Sequence, residues 1–332
     1  MNSDPQISII IPAYNAEKTL KKAVNGALSQ QNIPDFEVIV VDDGSNDKTS
    51  SVARTFDRVR CLRQPNAGPA SARNAGARLA RGKILLFTDA DCVPAPDWAQ
   101  QLIRHFEDPA VGAVAGTYGI ANPENALARA VQAEISYRHA RMPDRVKVFG
   151  SYSAALRRAD FEKAGGFCED YSCASGEDND LSYKVRAGGV AIAFARRARV
   201  DHYHPESVAR YLREQYRHGY WRASLYRRHP VMMTGDDYTF WKDLIEVPLS
   251  LIIFAALFAA AAGSSAGAFL FGLFLGVLTV IELAFSWRIL AAEPFRIRAF
   301  FAGVMLARAV VRTAGFLLGW LRNAIFNHKI TI

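Results

Sequence analysis

Glycine is missing from this sequence where a dinucleotide-binding fold would need it. The first apolar run, ISIII at 7–11, enters the turn PAYNAEKT without the glycines that let a backbone approach a pyrophosphate, which argues against a nicotinamide cofactor. Cysteine is scarce, with Cys61, Cys92, Cys168 and Cys173 the four in 332 residues, and that usage fits free thiols in a reducing compartment. Cys168 and Cys173 with His202 and His204 follow no common zinc spacing, so no zinc site is expected from them. The opening MNSDPQISIIIPAYN lacks a basic n-region and a long apolar run; the sequence therefore predicts no signal peptide and leaves the large domain in the cytoplasm. No DNA- or RNA-binding motif accompanies the net charge of +8, and nucleic acid is not an expected partner.

Charge is absent from Val247–Gly263, and Ala268–Trp287 carries only Glu282. Each stretch is close to the roughly 20 apolar residues a helix needs to cross a bilayer, which predicts a transmembrane hairpin. A third apolar stretch, Ala299–Trp320, holds Arg308 and Arg312 four residues apart on one helical face. Arginine is costly in mid-bilayer, so this stretch is expected to lie in the membrane plane, with a third span as the alternative. The predicted organisation is a catalytic-sized domain at 1–230 and a membrane region at 231–332, with helices at about 245–263, 267–288 and 297–321. Basic residues crowd YRHGYWRASLYRRH before the hairpin and RIRAF after it. Positive-inside bias puts both on the cytoplasmic side of the inner membrane.

Ahead of Trp241 the sequence alternates strand and helix. ISIII, FEVIVVDDGS, VRCLRQ and KILLFTDAD read as strands, while EKTLKKAVNGALSQ, DKTSSVARTF and PASARNAGARLARG carry helical spacing. That beat predicts an α/β fold with a Rossmann-like, mostly parallel sheet covered by helices on both faces. Such sheets bind ligands at the carboxyl ends of their strands. Asp42 and Asp43 follow one strand; Asp89 and Asp91 follow another.

Four ordered motifs, SIIIPAYNAEKTLKKAVNGALSQ, EVIVVDDGSNDKT, NAGPASARNAGARLARGKILLFTDADCVPAPDW and SGEDNDLSYKVRAGG, resemble the family-2 glycosyltransferases of GT-A fold. The resemblance runs from about Ile7 to Gly219. With the carboxy-terminal hairpin, the layout is similar to enzymes that extend polyprenyl-linked sugars for bacterial surface polysaccharides, including the succinoglycan type of exopolysaccharide. It implies an inverting transfer of one sugar from a nucleotide-sugar, by frequency a UDP-sugar, to a lipid-linked saccharide acceptor at the membrane. Transfer to polyprenyl phosphate itself, or a scaffold that binds nucleotide-sugar without turnover, are the alternatives. Processive members carry QxxRW; here Gln215 is followed by Tyr216, Arg217 and His218, which favours a single addition.

Charge builds on the leaving diphosphate during such a transfer, and a divalent ion held by hard oxygen ligands neutralises it, which calls for Mg²⁺ or Mn²⁺. A lone D-x-D is common in solvated loops, but here Asp89-Ala90-Asp91 matches the family's DXD motif. By resemblance Asp91 is the metal ligand, Asp89 lies near the ribose or a metal-bound water, and His202 reaches the metal or diphosphate. Pro12, Tyr14 and Asn15 match the motif lining the base pocket, Asp43 the acceptor of a uracil hydrogen bond, and Arg73 a cation near the nucleotide. Asp42 reads equally as a turn cap. An inverting transfer also needs a carboxylate to take the acceptor's proton. In SGEDNDL, Asp178 matches the family's base, Glu177 is expected to touch the acceptor, and Asp180 follows in the same loop.

Overall fold

The computed structural model describes residues 5–171 and 175–325; Cys173 of the disfavoured zinc set lies outside them. In chain order the elements begin with β1 (Ile7–Ala13), α1 (Leu20–Leu28), β2 (Phe36–Asp42), α2 (Thr49–Ala53), β3 (Val59–Arg63), α3 (Pro69–Leu79) and β4 (Ile84–Thr88). Then come β5 (Cys92–Pro94), α4 (Trp98–Ile103), β6 (Val111–Ile120), α5 (Ala126–His139), β7 (Arg145–Val146), β8 (Ser153–Arg157), α6 (Arg158–Lys163), α7 (Glu177–Ala187) and β9 (Ala191–His202). Four helices finish the chain: α8 (Val208–Arg228), α9 (Trp241–Ala261), α10 (Ser265–Ile289) and α11 (Phe295–Ile325).

The described chain forms two compact units. One runs up to Asn122 and resumes at His139–His204; the other comprises Pro123–Arg138 and the chain from Pro205 onward. The first is an α/β unit around a sheet ordered β3-β2-β1-β4-β8-β6-β9-β5, with β7 added to β9. Strands β3, β2, β1 and β4 are mutually parallel, as the alternation with helices requires. β8 then runs antiparallel to both β4 and β6. An apolar run marks a strand but not its direction, and β8 is not reached by a strand-helix-strand crossover. Ile9, Ile10 and Ile11 of β1 have no solvent exposure, and each such burial is worth about 1.5–3 kcal/mol. This continuous burial is what a central strand covered on both faces produces.

The parallel pairing brings the carboxyl ends of β1, β2 and β4 together, and with them Tyr14, Asp43 and Asp89. β6 and β9 pair in parallel with Ile120 opposite His202, while β5 pairs antiparallel with β9 so that Cys92 also faces His202. Strand register alone therefore delivers His202 to the end of the DXD loop.

In the second unit α9, α10 and α11 are each long and apolar enough to cross a membrane. Glycines let α8 and α11 touch at the backbone: a methyl group on Gly315 would stand 2.3 Å from the Tyr216 carbonyl oxygen, and one on Gly319 2.1 Å from that of Tyr220. The arginine that suggested an in-plane helix is not lipid-facing. Arg308 is 1% exposed, donates to both oxygens of Glu134 at 2.9 Å and reaches Glu246 at 2.8 Å. Lys242 binds Glu246 and both oxygens of Glu282 at 3.0 Å, Arg138 binds Glu134 and Asp243, and Arg312 donates to Gln215 at 2.8 Å. Pairing removes the electrostatic objection to burying α11, because each charge meets its opposite inside the unit.

Candidate active site

The turns after β1 and β2 are clamped together. Ser45 Oγ accepts from the Asn15 amide at 2.9 Å, and Asn15 Oδ1 accepts from the Asn46 amide at 2.9 Å. This holds Asn15 in the left-handed region at φ 50°, where asparagine is among the few tolerated residues. Tyr14 beside it is 50% exposed, free to meet a ligand, while Pro12 is buried within β1. Asp42 accepts from the Ser45 amide and from Ser50, and although burial alone would raise its pKa, these bonds and Arg63 hold it below the usual carboxylate range. It caps the turn.

Asp43 does something the sequence did not announce. Its carboxylate accepts from Gln64 at 2.7 Å, Asn66 at 3.2 Å and the amides of Ala67 at 3.0 Å and Gly68 at 2.8 Å. A carboxylate has roughly four lone-pair positions, and all are engaged. Asp43 anchors the 64–68 loop, so a nucleobase N–H would have to share an oxygen rather than find a vacant one. Gly68 permits the anchor, since its φ of 91° is a conformation that side-chained residues rarely adopt.

Arg73 is the link between the two carboxylate sites. It is 2% exposed and donates from one nitrogen to Asp89 at 2.8 Å and from another to Glu177 at 2.9 Å. Burial weakens its hold on the proton, but Asp89 and Glu177 together keep it firmly charged. Arg73, expected as a cation near the nucleotide, makes a bridge inside the protein. Glu177, expected to touch the acceptor, is 2% exposed, with its second oxygen accepting from the Ser175 amide at 2.7 Å. Asp180 is 1% exposed and pairs with Lys184 at 2.7 Å.

Asp178 remains. It sits half-buried in the first turn of α7, accepts from the Asn179 amide at 2.8 Å, and is pushed up to about 7 by burial and by the adjacent Glu177 charge, against Arg73 and backbone hydrogen bonds from Asn179 and Ser151. A carboxylate poised near neutrality is the kind that both accepts and returns a proton.

At the other end, His202 Nε2 lies 3.4 Å from Asp91 Oδ2. Its Nδ1 is 3.0 Å from Nδ1 of His204. Burial and His202 push the His204 imidazole down to about 3, so it is neutral, and it also hydrogen-bonds the Gly119 carbonyl. The Nδ1–Nδ1 contact fixes the two rings relative to each other and leaves Nε2 of His202 directed at Asp91. A second polar group on the far nitrogen is the usual way a histidine is oriented for metal. The residues present therefore fit a divalent ion. Charge agrees: Arg73 pairs with Asp89 and Glu177, while Asp91 faces His202 and not an arginine in these pairs.

Cys92, Tyr118 and Tyr152 were not foreseen here. Tyr118 stacks on Tyr152 with ring centroids 3.4 Å apart and stands 4.8 Å from the His202 ring. No spacing signal announces them, because strand pairing alone brings them to the site.

Residues 8–165 match the Glycosyl transferase family 2 model. Among curated relatives, the validoxylamine A glucosyltransferase of Streptomyces hygroscopicus subsp. limoneus is 31% identical over 229 residues, 58% of this chain and 50% of that protein. The pre-mycofactocin glycosyltransferase of Mycobacterium tuberculosis is 29% identical over 239 residues, 69% of this chain and 49% of that protein. The chain thus spans about half the length of the curated relatives it matches. A mannosyltransferase from Pyrobaculum calidifontis, solved with GDP-Man and Mn²⁺, superposes with a TM-score of 0.63 at 22% identity, over 94% of this chain and 88% of that one, a likeness in fold.

Proposed function

We propose, from the match of residues 8–165 to the Glycosyl transferase family 2 model and the fold shared with a mannosyltransferase, that this chain is an inverting, metal-dependent family-2 glycosyltransferase of GT-A fold moving one sugar from a nucleotide-sugar to a lipid-linked saccharide. The observation that carries this reading is the Arg73 bridge, which joins the DXD carboxylate Asp89 to Glu177, the neighbour of a carboxyl poised near 7. Asp91 and His202 would hold Mg²⁺ or Mn²⁺, with Asp89 beside them. The ion, when bound, neutralises charge on the departing diphosphate. Tyr14, Asn15 and the Pro12 backbone line the end of β1 where the base would lie, the donor being of the UDP class by family resemblance. Asp178 takes the proton of the acceptor hydroxyl as that oxygen attacks the anomeric carbon. Arg73 keeps the two sites in fixed relation and tempers the basicity of Asp178.

The lipid-linked acceptor is supported by the three apolar helices: a transferase held at a bilayer meets its acceptor there. A polyprenyl-diphosphate saccharide of cell-surface polysaccharide synthesis, with the α/β unit facing the cytoplasm of the inner membrane, is the corresponding setting. The test is nucleotide diphosphate release by detergent-purified protein across a panel of nucleotide-sugars with Mn²⁺ or Mg²⁺, with and without polyprenyl phosphate or a polyprenyl-diphosphate saccharide. One donor turned over with the saccharide acceptor, and lost in Asp178→Asn, supports the reading. Turnover with polyprenyl phosphate instead replaces the acceptor, and donor binding without turnover under every condition rejects the enzyme.

A further inference from the structure

The antiparallel pairing of β5 with β9 brings sulfur to the proposed metal site. Cys92 stands opposite His202, and one donor atom each from Asp91, Cys92 and His202 lie within 4.8 Å of one another. Cys92 Sγ is 3.8 Å from Asp91 Oδ1, while the other oxygen of Asp91 faces His202. Donors spaced so closely can close on one ion with small side-chain movements. Cys92 has no solvent exposure, so water does not compete for its sulfur. Nε2 of His202 is directed at the same carboxylate, 3.4 Å from Asp91 Oδ2.

Oxygen donors alone suit Mg²⁺ or Mn²⁺, whereas a thiolate joined to imidazole and carboxylate is a set that zinc prefers. Resting on the metal-site reading above, we propose that Cys92 is a third protein ligand at this site and that it makes zinc a tight, inhibitory occupant. On coordination the thiol proton leaves to solvent; no electron is transferred. Zinc favours four ligands, so Asp91, Cys92 and His202 leave it one position, too few for the two oxygens by which a diphosphate is gripped. The six positions of Mg²⁺ or Mn²⁺ leave room for both.

The test is titration of the full-length protein in detergent with Co²⁺, a spectroscopic stand-in for zinc, and with Zn²⁺ in competition. Binding is expected to give visible d–d bands together with a near-ultraviolet thiolate-to-cobalt charge-transfer band. Cys92→Ser keeps the visible bands, loses the charge-transfer band and binds Zn²⁺ at least about tenfold more weakly, with Mn²⁺ affinity within about twofold. The band persists when Cys61, Cys168 and Cys173 are all changed to serine, a control that stands even where Cys92→Ser folds poorly. Visible bands without the charge-transfer band in the wild type overturn the role of Cys92 alone. So does a charge-transfer band that survives Cys92→Ser, or unchanged Zn²⁺ affinity. Absence of every band from folded protein overturns this proposal and the metal site together.

Discussion

The two buried charge clusters of this molecule differ in their arithmetic. In the helical unit Arg138, Lys242, Arg308 and Arg312 meet Glu134, Asp243, Glu246 and Glu282, four charges against four. In the α/β unit four carboxylates, Asp89, Asp91, Glu177 and Asp178, stand with one arginine: Arg73 pairs with Asp89 and Glu177, and Asp91 faces His202. A balanced cluster needs nothing from outside and serves to hold helices together. An unbalanced one costs stability until a cation or a proton arrives, which is how a protein keeps a binding site open. Depth of burial does not separate them, since Arg73 and Arg308 are both almost fully covered. The sum of charge does.

The sharpest break of this comparison is Asp91→Ala. It relieves negative charge in the unbalanced cluster, and turnover is expected to fall about 10²–10³-fold or more, as for loss of a main electrostatic contact in the transition state. Metal affinity by calorimetry should disappear with it, while the melting temperature without metal holds or rises. An unchanged rate would remove Asp91 from the site.

Arg308→Met tests the balanced cluster in the opposite sense. It strands Glu134 and Glu246, and about 3–5 kcal/mol of stability should be lost, as when one partner of a buried pair is removed. Donor affinity of the protein that remains folded should not move. A loss of donor affinity without a fall in melting temperature would mean that this cluster too is a site.

Asp178 gives the comparison a pH axis. Its pKa in the folded chain, about 7, stands above the ordinary aspartate value of 3.8, so the folded state holds a proton that the unfolded state releases between those values. Stability from this group is therefore present at low pH and declines as pH rises from about 4 to about 7. Asp178→Asn should raise the melting temperature at pH 8 and leave it unchanged near pH 4. Wild-type turnover should climb through pH 7 as the base form appears. Arg73→Met removes the charge that tempers this carboxyl, so the residual activity should shift to higher pH, on top of a general loss of stability. A pH–rate profile that stays in place would separate Arg73 from Asp178.

The smallest effect belongs to helix packing. Gly315→Ala pushes a methyl group against the Tyr216 carbonyl and should cost about 1–3 kcal/mol with turnover per folded molecule unchanged. A melting temperature equal to wild type would show that α8 and α11 separate more easily than their backbone contact suggests.

Much of this was legible before any coordinates. Apolar runs of the right length and hand-offs from period 2 to period 3.6 located β1, β2, β3, β4, α1 and α3 to within a few residues, because burial on both faces leaves so plain a pattern. The DXD pair and the GED loop were legible as motifs, since acidic residues at strand ends and helix starts are unusual enough to notice. The partners were not. That Asp43 also accepts from Gln64, Asn66, Ala67 and Gly68 was not legible, and Arg308 looked like an obstacle to burial until Glu134 and Glu246 met it.

By itself the sequence determined where strands and helices form, which segments are too apolar for water, and which residue types stand at the ends of β2 and β4. These follow from local propensity and periodicity, properties a short window of chain carries alone. Tertiary structure decided what each charged group faces: that Arg73 spans 104 positions of sequence to reach Glu177, that His204 orients His202 against Asp91, and that Cys92 stands beside them. Electrostatic and coordination energies depend on distances between groups far apart in the chain, and only the folded backbone sets those distances.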